Sequence, residues 1–345
     1  MKTIKTYPIM ATTVYNIVWA DDEIDSLLSE KTEYLHDEGF NLIAKVHTAD
    51  ELQRVIVKND KIDAVISDFN FGEHDNDTLE ERDCSGFDKA RHIYDMVCEK
   101  KIPFFLYTKR SDEFIRSTYK NNPKALDDFK RHERWFFKGP EFYKMMNKIK
   151  DAVVENKRPS FIVRNKYHEA LNCATLNRKA NEELFPLLLA EHENCLEQFS
   201  EPFVTCRKII EEVFKQCEEC KLIPPISEDV NGTSKYFSMD KYSGDYGSYE
   251  NKEEPLMKRP LARALYYLID ITQDGAHNKK NMKLKVDEYW QHTKDTYLLR
   301  SILFITCDIL KWFAQTFIDN QDKERNALRW DKINTALQAQ CKEGK

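Results

Sequence analysis

The chain has no surplus of positive charge. Lys and Arg number 53 against 59 Asp and Glu over 345 residues, for a formal net charge of −6. Nucleic-acid-binding domains usually carry a basic footprint that neutralises phosphates, so this balance argues against DNA binding, although local basic patches remain compatible with it. There is also no uninterrupted apolar run of membrane-spanning length. The longest apolar segment, Leu298 to Ile318, is broken by Arg300, Asp308 and Lys311 and reads as a buried amphipathic helix. No apolar run follows Lys2 and Lys5, so no signal peptide is expected. A paired-cysteine framework is missing too. Nine cysteines, an odd number, are scattered at 84, 98, 173, 195, 206, 217, 220, 307 and 341. Their mostly helical, apolar settings lead us to expect reduced thiols in a cytoplasmic protein. There is no Walker loop, no HExxH, no GGDEF-like sequence and no helix-turn-helix signature. Cys217-x-x-Cys220 has no second cysteine pair nearby, which argues against zinc.

What is present begins with Asp63-Ala64-Val65-Ile66-Ser67-Asp68-Phe69-Asn70. This short β-branched run ends in an acidic residue and suits a strand buried on both faces of a parallel sheet. Three similar runs occur. Val14–Ala20 leads into Asp21-Asp22-Glu23, Ile102–Tyr107 into Thr108, and Arg134–Phe137 into Lys138. In open α/β sheets, ligands bind beyond the carboxyl ends of the strands. If the acidic ends of the first and third strands meet there, they repel unless a cation lies between them.

The order over residues 12–155 reads strand then helix, five times. The strands are Val14–Ala20, Phe40–Val46, Ile62–Ser67, Pro103–Tyr107 and Trp135–Phe137. Helices are expected from Ile24 to about Tyr34, from a Thr48 cap with Glu51 three residues on, over Gly86–Glu99, over Ser111–Tyr119 and over Glu141–Glu155. Repeated βα units of this size imply a doubly wound, five-stranded parallel sheet covered on both sides.

Asp21-Asp22-Glu23, Asp68, Thr108 and Lys138, each at the end of its own strand, resemble the receiver domain of two-component response regulators. The resemblance covers residues 12–155 and implies a flavodoxin-like fold. It implies that Asp68 is the nucleophile that accepts a phosphoryl group from a histidine kinase or phosphotransfer protein. It further implies that Asp21, Asp22, Asp68 and the backbone carbonyl of Asn70 bind Mg²⁺, that Lys138 pairs with Asp68 and then with phosphate, and that Thr108 hydrogen-bonds a phosphoryl oxygen. Trp135 stands where relatives carry the aromatic that repacks with the threonine, either as a switch or as core.

Four features depart from that pattern. Lys109 replaces a small residue after the threonine, where it would restrict access to Asp68 or contact phosphate. Lys138-Gly139-Pro140 replaces Lys-Pro; a cis bond before a glycine is costly, so a changed loop is expected. The loop 70–85 carries an acidic insertion, and 119–133 is longer and more basic than is usual.

After residues 156–162, expected as a linker at Pro159, strands disappear and residues 163–341 read as an all-helical output domain. Helices are expected over Glu169–Asn194 with Pro186 inside, from Pro202 to about Cys220, over Leu256–Thr272, and over 287–316. Residues 226–255, rich in Tyr, Gly and Ser, read as a long irregular loop. Cys206-Arg207-Lys208-Ile209-Ile210-Glu211 and Gly275-Ala276-His277-Asn278 also resemble, more loosely, the HEPN type of helical domain. That group includes RNA-cleaving effectors and plain interaction modules, often paired as homodimers. The catalytic pattern needs an Arg shortly before the His; here the nearest are Arg259 and Arg263, too far upstream. The expectation is therefore a response regulator, with no turnover chemistry beyond phosphotransfer, signalling through protein contacts of its helical part. An RNA- or nucleotide-acting effector using His277, or a scaffold that takes no phosphate, are the alternatives.

Overall fold

Six consecutive buried residues form strand β1 (Tyr15–Ala20). A strand with no exposed side belongs inside a sheet covered on both faces. The structure, a computed structural model, describes residues 13–21, 23–28, 31–68, 93–109, 131–171, 178–196, 200–276 and 286–333. The expected helix Ser111–Tyr119, the loop 70–85, most of the basic segment 119–133 and His277 lie outside the described residues. The chain divides into two compact units, Met1–Asn165 and Lys166–Lys345.

In the first unit, β1 is joined by β2 (Phe40–Val46), β3 (Ala64–Ser67), β4 (Phe104–Thr108) and β5 (Trp135–Phe137). All neighbours pair in parallel, in the order β2-β1-β3-β4-β5. This order is compatible with a flavodoxin-like fold. The helices are α1 (Ile24–Leu28), α2 (Thr32–Asp37), α3 (Ala49–Lys58), α4 (residues 93–99), α5 (Phe142–Asn156) and α6 (Pro159–Lys166). The segment expected as one helix from Ile24 to Tyr34 is two.

Strand alternation sorts the core into two clusters. Val18, Ala20, Val65, Phe104 and Leu106 pack with Leu52 and Ile56 of α3 and Ile93 and Val97 of α4. Ile17, Trp19, Ala64, Ile66, Phe105 and Tyr107 pack with Ile24, Leu35 and the stripe Phe142, Met145, Met146, Ile149 and Val153 of α5. The expected cap of α3 is formed: Thr48 accepts from the Glu51 amide at 3.2 Å, and the Glu51 carboxylate accepts from the His47 amide at 2.7 Å.

Helix α5 ends as expected, at Asn156, with Lys157 in a left-handed conformation. The following segment differs from the expected linker. Pro159 opens α6, a position where its missing N–H costs nothing. Phe161 joins the core beside Tyr15, with ring centroids 5.6 Å apart, and the Asn165 side chain accepts from the Val14 amide at 2.9 Å. Arg164 reaches the wholly buried Asp63 at 2.6 Å, and Arg158 donates to the Ile62 carbonyl. Asp63 also accepts from the Asn16 amide at 2.7 Å. Burial pushes the Asp63 carboxyl up, and Arg164 opposes that only in part. Proline broke one helix and began another, so the boundary moves to Asn165.

The second unit is not all-helical. It contains α7 (His168–Leu171), α8 (Arg178–His192), α9 (Ser200–Glu219), α10 (Val230–Met239), α11 (Arg259–Ala276), α12 (Val286–Thr293), α13 (Tyr297–Asp319) and α14 (Lys323–Ala327). It also contains an antiparallel sheet β6-β7-β8, formed by Lys241–Gly244, Gly247–Asn251 and Trp330–Lys332. The expected loop 226–255 therefore holds a helix and a hairpin. Gly244 and Gly247 pair across a two-residue turn, while Tyr242 and Tyr249 face each other on the buried side. Helix α8 runs through Pro186. Among the described residues, α13 alone is long and apolar enough to cross a membrane. Its stripe of Leu299, Ile302, Leu303, Thr306, Ile309, Leu310 and Phe313 is buried within the unit, where α13 packs on α9 and α11.

The Asp63–Arg164 pair gives a stability expectation. Asp63→Ala leaves a nearly buried guanidinium without its partner and should lower the opening free energy of the first unit by about 3–5 kcal/mol. Native-state hydrogen exchange across β1 and β3 reads this directly. Asp63→Leu combined with Arg164→Leu should recover most of the loss.

Candidate functional site

The register of the sheet decides which side chains meet. Ala20 pairs with Ser67, so the next residues, Asp21 and Asp68, leave neighbouring strands side by side. The order of the strands reverses between β1 and β3, and ligands bind at such a switch point in open sheets. On the other side, Thr108 pairs with Phe137, so Lys138 leaves β5 one step beyond it. The Lys138 amide donates to the Thr108 carbonyl at 3.0 Å and extends that pairing.

The three charged groups converge. Lys138 Nζ lies 2.9 Å from Asp21 Oδ2 and donates to Asp68 Oδ2. The Asp21 side chain is fully buried, that of Lys138 is 3% exposed and that of Asp68 is 9% exposed. Asp21 Oδ1 also accepts from the Glu23 amide at 2.9 Å. Burial pushes the Asp21 carboxyl up, Lys138 pulls it down, and the nearby Asp68 charge pushes it up again; the net direction is up. For Lys138, burial pulls the ammonium down, but the two carboxylates outweigh it and hold the group above the ordinary lysine range.

Two carboxylates meet one ammonium in a place nearly closed to water. A hard cation suits such a set of oxygen donors. Asp21 and Asp68 would hold it, while the other two expected ligands, Asp22 and Asn70, lie outside the described residues. Among the described residues no three acidic, His or Cys side chains gather into a metal site.

Thr108 is buried at the end of β4. Trp135 is not brought to the charged cluster; it lies at the start of β5, half-buried against the α3–α4 side of the core. Lys109 pairs with Glu23 at 2.7 Å, both side chains being largely exposed, and this pair with Lys138 behind it pulls the Glu23 carboxyl down. In the second unit, Arg207 is buried on α9 and pairs with Glu211 at 2.7 Å.

Sequence reasoning missed Tyr107. Its ring is buried against Trp19, 5.7 Å away edge to face, and its hydroxyl accepts from the Gly139 amide at 2.9 Å. Gly139 sits at φ +96°, a conformation other residues avoid, and among the described residues no peptide bond is cis. The changed loop expected after Lys138 is therefore a trans, glycine-permitted turn pinned from below by a tyrosine. The only signal in the sequence was a hydroxyl-bearing aromatic next to Thr108.

No protein-family model matches the chain, and no curated protein matches it.

Two measurements follow from this geometry. Tyr107→Phe removes one hydrogen bond and should cost about 0.5–1.5 kcal/mol, read as faster amide exchange in the Lys138–Gly139 turn. Lys138→Met should destabilise the chain in denaturant titrations at neutral pH. Because the folded-state value of Lys138 is raised, its contribution is complete below the ordinary lysine range and is lost as pH climbs through the raised value. The gap between parent and variant should therefore be widest at neutral pH and shrink in strongly alkaline buffer.

Proposed function

We propose that the first unit is a doubly wound, flavodoxin-like receiver of a two-component system, and that Asp68 is its phosphoryl acceptor. The observation that carries this reading is the Lys138 ammonium held between the Asp21 and Asp68 carboxylates, at the carboxyl end of the central strands. A purely structural ion pair needs one carboxylate, whereas a phosphoryl acceptor needs a nucleophile beside further groups that manage charge.

The chemistry is a displacement at phosphorus. A histidine kinase or phosphotransfer protein presents a phosphohistidine. An Asp68 oxygen attacks the phosphorus in line, the P–N bond breaks, and the electron pair leaves on the imidazole. Mg²⁺, when held by Asp21 and Asp68 with Asp22 and the Asn70 carbonyl, supplies charge neutralisation for the phosphoryl oxygens. Lys138 gives up its contact with Asp68 and pairs with a phosphoryl oxygen, which disperses the charge that Asp68 has gained. The Thr108 hydroxyl, one strand over, donates to another. Tyr107 keeps the Lys138 turn in place and is a positioning residue. The second unit carries the output in the cytoplasm through a protein target or a second copy of the chain.

The test is intact mass after treatment with acetyl phosphate or phosphoramidate and Mg²⁺, for the parent and for Asp68→Asn. One added phosphoryl group in the parent, none in the variant and none after chelation of the metal is the expected result. No addition with any donor overturns the reading and leaves a protein-interaction scaffold.

A further inference from the structure

The sheet register that brings Asp21 to Asp68 also places two outer residues. Ala20, Ser67 and Leu106 pair at one level across β1, β3 and β4. Asp21, Asp68 and Tyr107 follow them, and Glu23 and Lys109 stand two positions further along their own chains. Strand β3 lies between β1 and β4, so the chains carrying Glu23 and Lys109 leave the sheet on either side of Asp68. With neighbouring strands about 4.8 Å apart, those chains start about 10 Å from each other. The Lys109 ammonium nevertheless meets the Glu23 carboxylate at 2.7 Å. The two side chains therefore join across the line of β3, on the outer side of the residue that ends it.

Both ends of this bridge are tied to the charged cluster. The Glu23 amide donates to Asp21 Oδ1 at 2.9 Å, and the Glu23 carbonyl accepts from the Ser26 hydroxyl at 2.8 Å. The carbonyl of Thr108, just before Lys109, accepts from the Lys138 amide at 3.0 Å. The bridge itself faces solvent, with the Lys109 and Glu23 side chains 65% and 51% exposed, while that of Asp68 behind it is 9% exposed.

Of two roles open to Lys109, contacting phosphate and restricting access, its engagement with Glu23 favours the second. We propose that the Glu23–Lys109 pair is a strap over Asp68 that keeps water from the aspartyl phosphate and so sets the lifetime of the phosphorylated state. This rests on the reading of Asp68 as the phosphoryl acceptor. Loss of the group is an attack of water on phosphorus, opposite the Asp68 oxygen. A new P–O bond forms as the bond from phosphorus to the Asp68 oxygen breaks. The electron pair stays on the Asp68 carboxylate, a proton of the water goes to solvent, and inorganic phosphate leaves. A phosphoryl group on Asp68 extends outward from the end of the sheet, so the water has to arrive from the side where the strap lies. A phosphodonor protein meets the same strap, but it can displace an exposed ion pair with charges of its own. A water molecule brings no charge to do so.

The test is the decay of the phosphorylated full chain, read by intact mass after the donor is removed, at saturating Mg²⁺. An exposed ion pair favours its closed form by about fivefold at most. Glu23→Gln, which keeps the size and loses the charge, should therefore shorten the half-life about two- to fivefold. Lys109→Ala, which removes the arm as well, should shorten it further. Glu23→Lys combined with Lys109→Glu rebuilds the pair in reverse and should restore the parent half-life. Raising salt from about 0.1 to 1 M cuts the screening length from about 10 to 3 Å and should shorten the half-life of the parent more than that of Lys109→Ala. Equal half-lives in the parent and both single variants overturn the strap and leave Asp68 as acceptor, as does a reversed pair that decays as fast as Lys109→Ala. A single variant that takes up no label also overturns it, because the pair would then serve uptake. No label in the parent overturns the acceptor reading and the strap together.

Discussion

The first unit depends on one ammonium placed between two carboxylates. The register of β1 against β3 brings Asp21 and Asp68 together whatever their charge, because backbone hydrogen bonds set it and a buried hydrophobic pattern on both faces fixes it. Side by side and out of water, two such groups destabilise the sheet end unless a positive charge reaches them. Lys138 is that charge, and it arrives from the far edge of the sheet on a strand of only three residues. The short β5, the turn at Gly139 and the hydroxyl of Tyr107 are the parts that deliver it.

Much of this arrangement could be read from the chain before any coordinates. The strands of a parallel sheet are buried on both faces, so each appears as a compact apolar run, and the residue ending each run lies at the carboxyl edge. Asp21, Asp68, Thr108 and Lys138 were found that way. Tyr107 was not, because its role depends on a backbone conformation at Gly139 that no pattern of side chains announces. Arg164 and Asp63 were not either. They are 101 positions apart, and Arg164 lies in a stretch that Pro159 made look like a linker.

The second unit shows a different blind spot. Tyrosine, glycine and serine between 241 and 251 resemble loop composition, yet they build a hairpin because Gly244 and Gly247 close a tight turn and Tyr242 and Tyr249 form a cross-strand pair. The third strand, Trp330–Lys332, comes from some eighty positions later, as the register Asn251 to Trp330 records. A pairing of that range leaves no local trace.

Strand β3 has a consequence for how this chain tolerates change in length. Asp63, just before it, is clamped by Asn16 and Arg164, and Asp68, just after it, by Lys138. The five steps between them span about 17 Å in extended backbone. Loops usually absorb added or missing residues, and the strands they connect are spared. Here the span between the two carboxylates has no slack at either end. A single residue gained or lost within it detaches one carboxylate from its partner, so this stretch behaves as a ruler cut to one length.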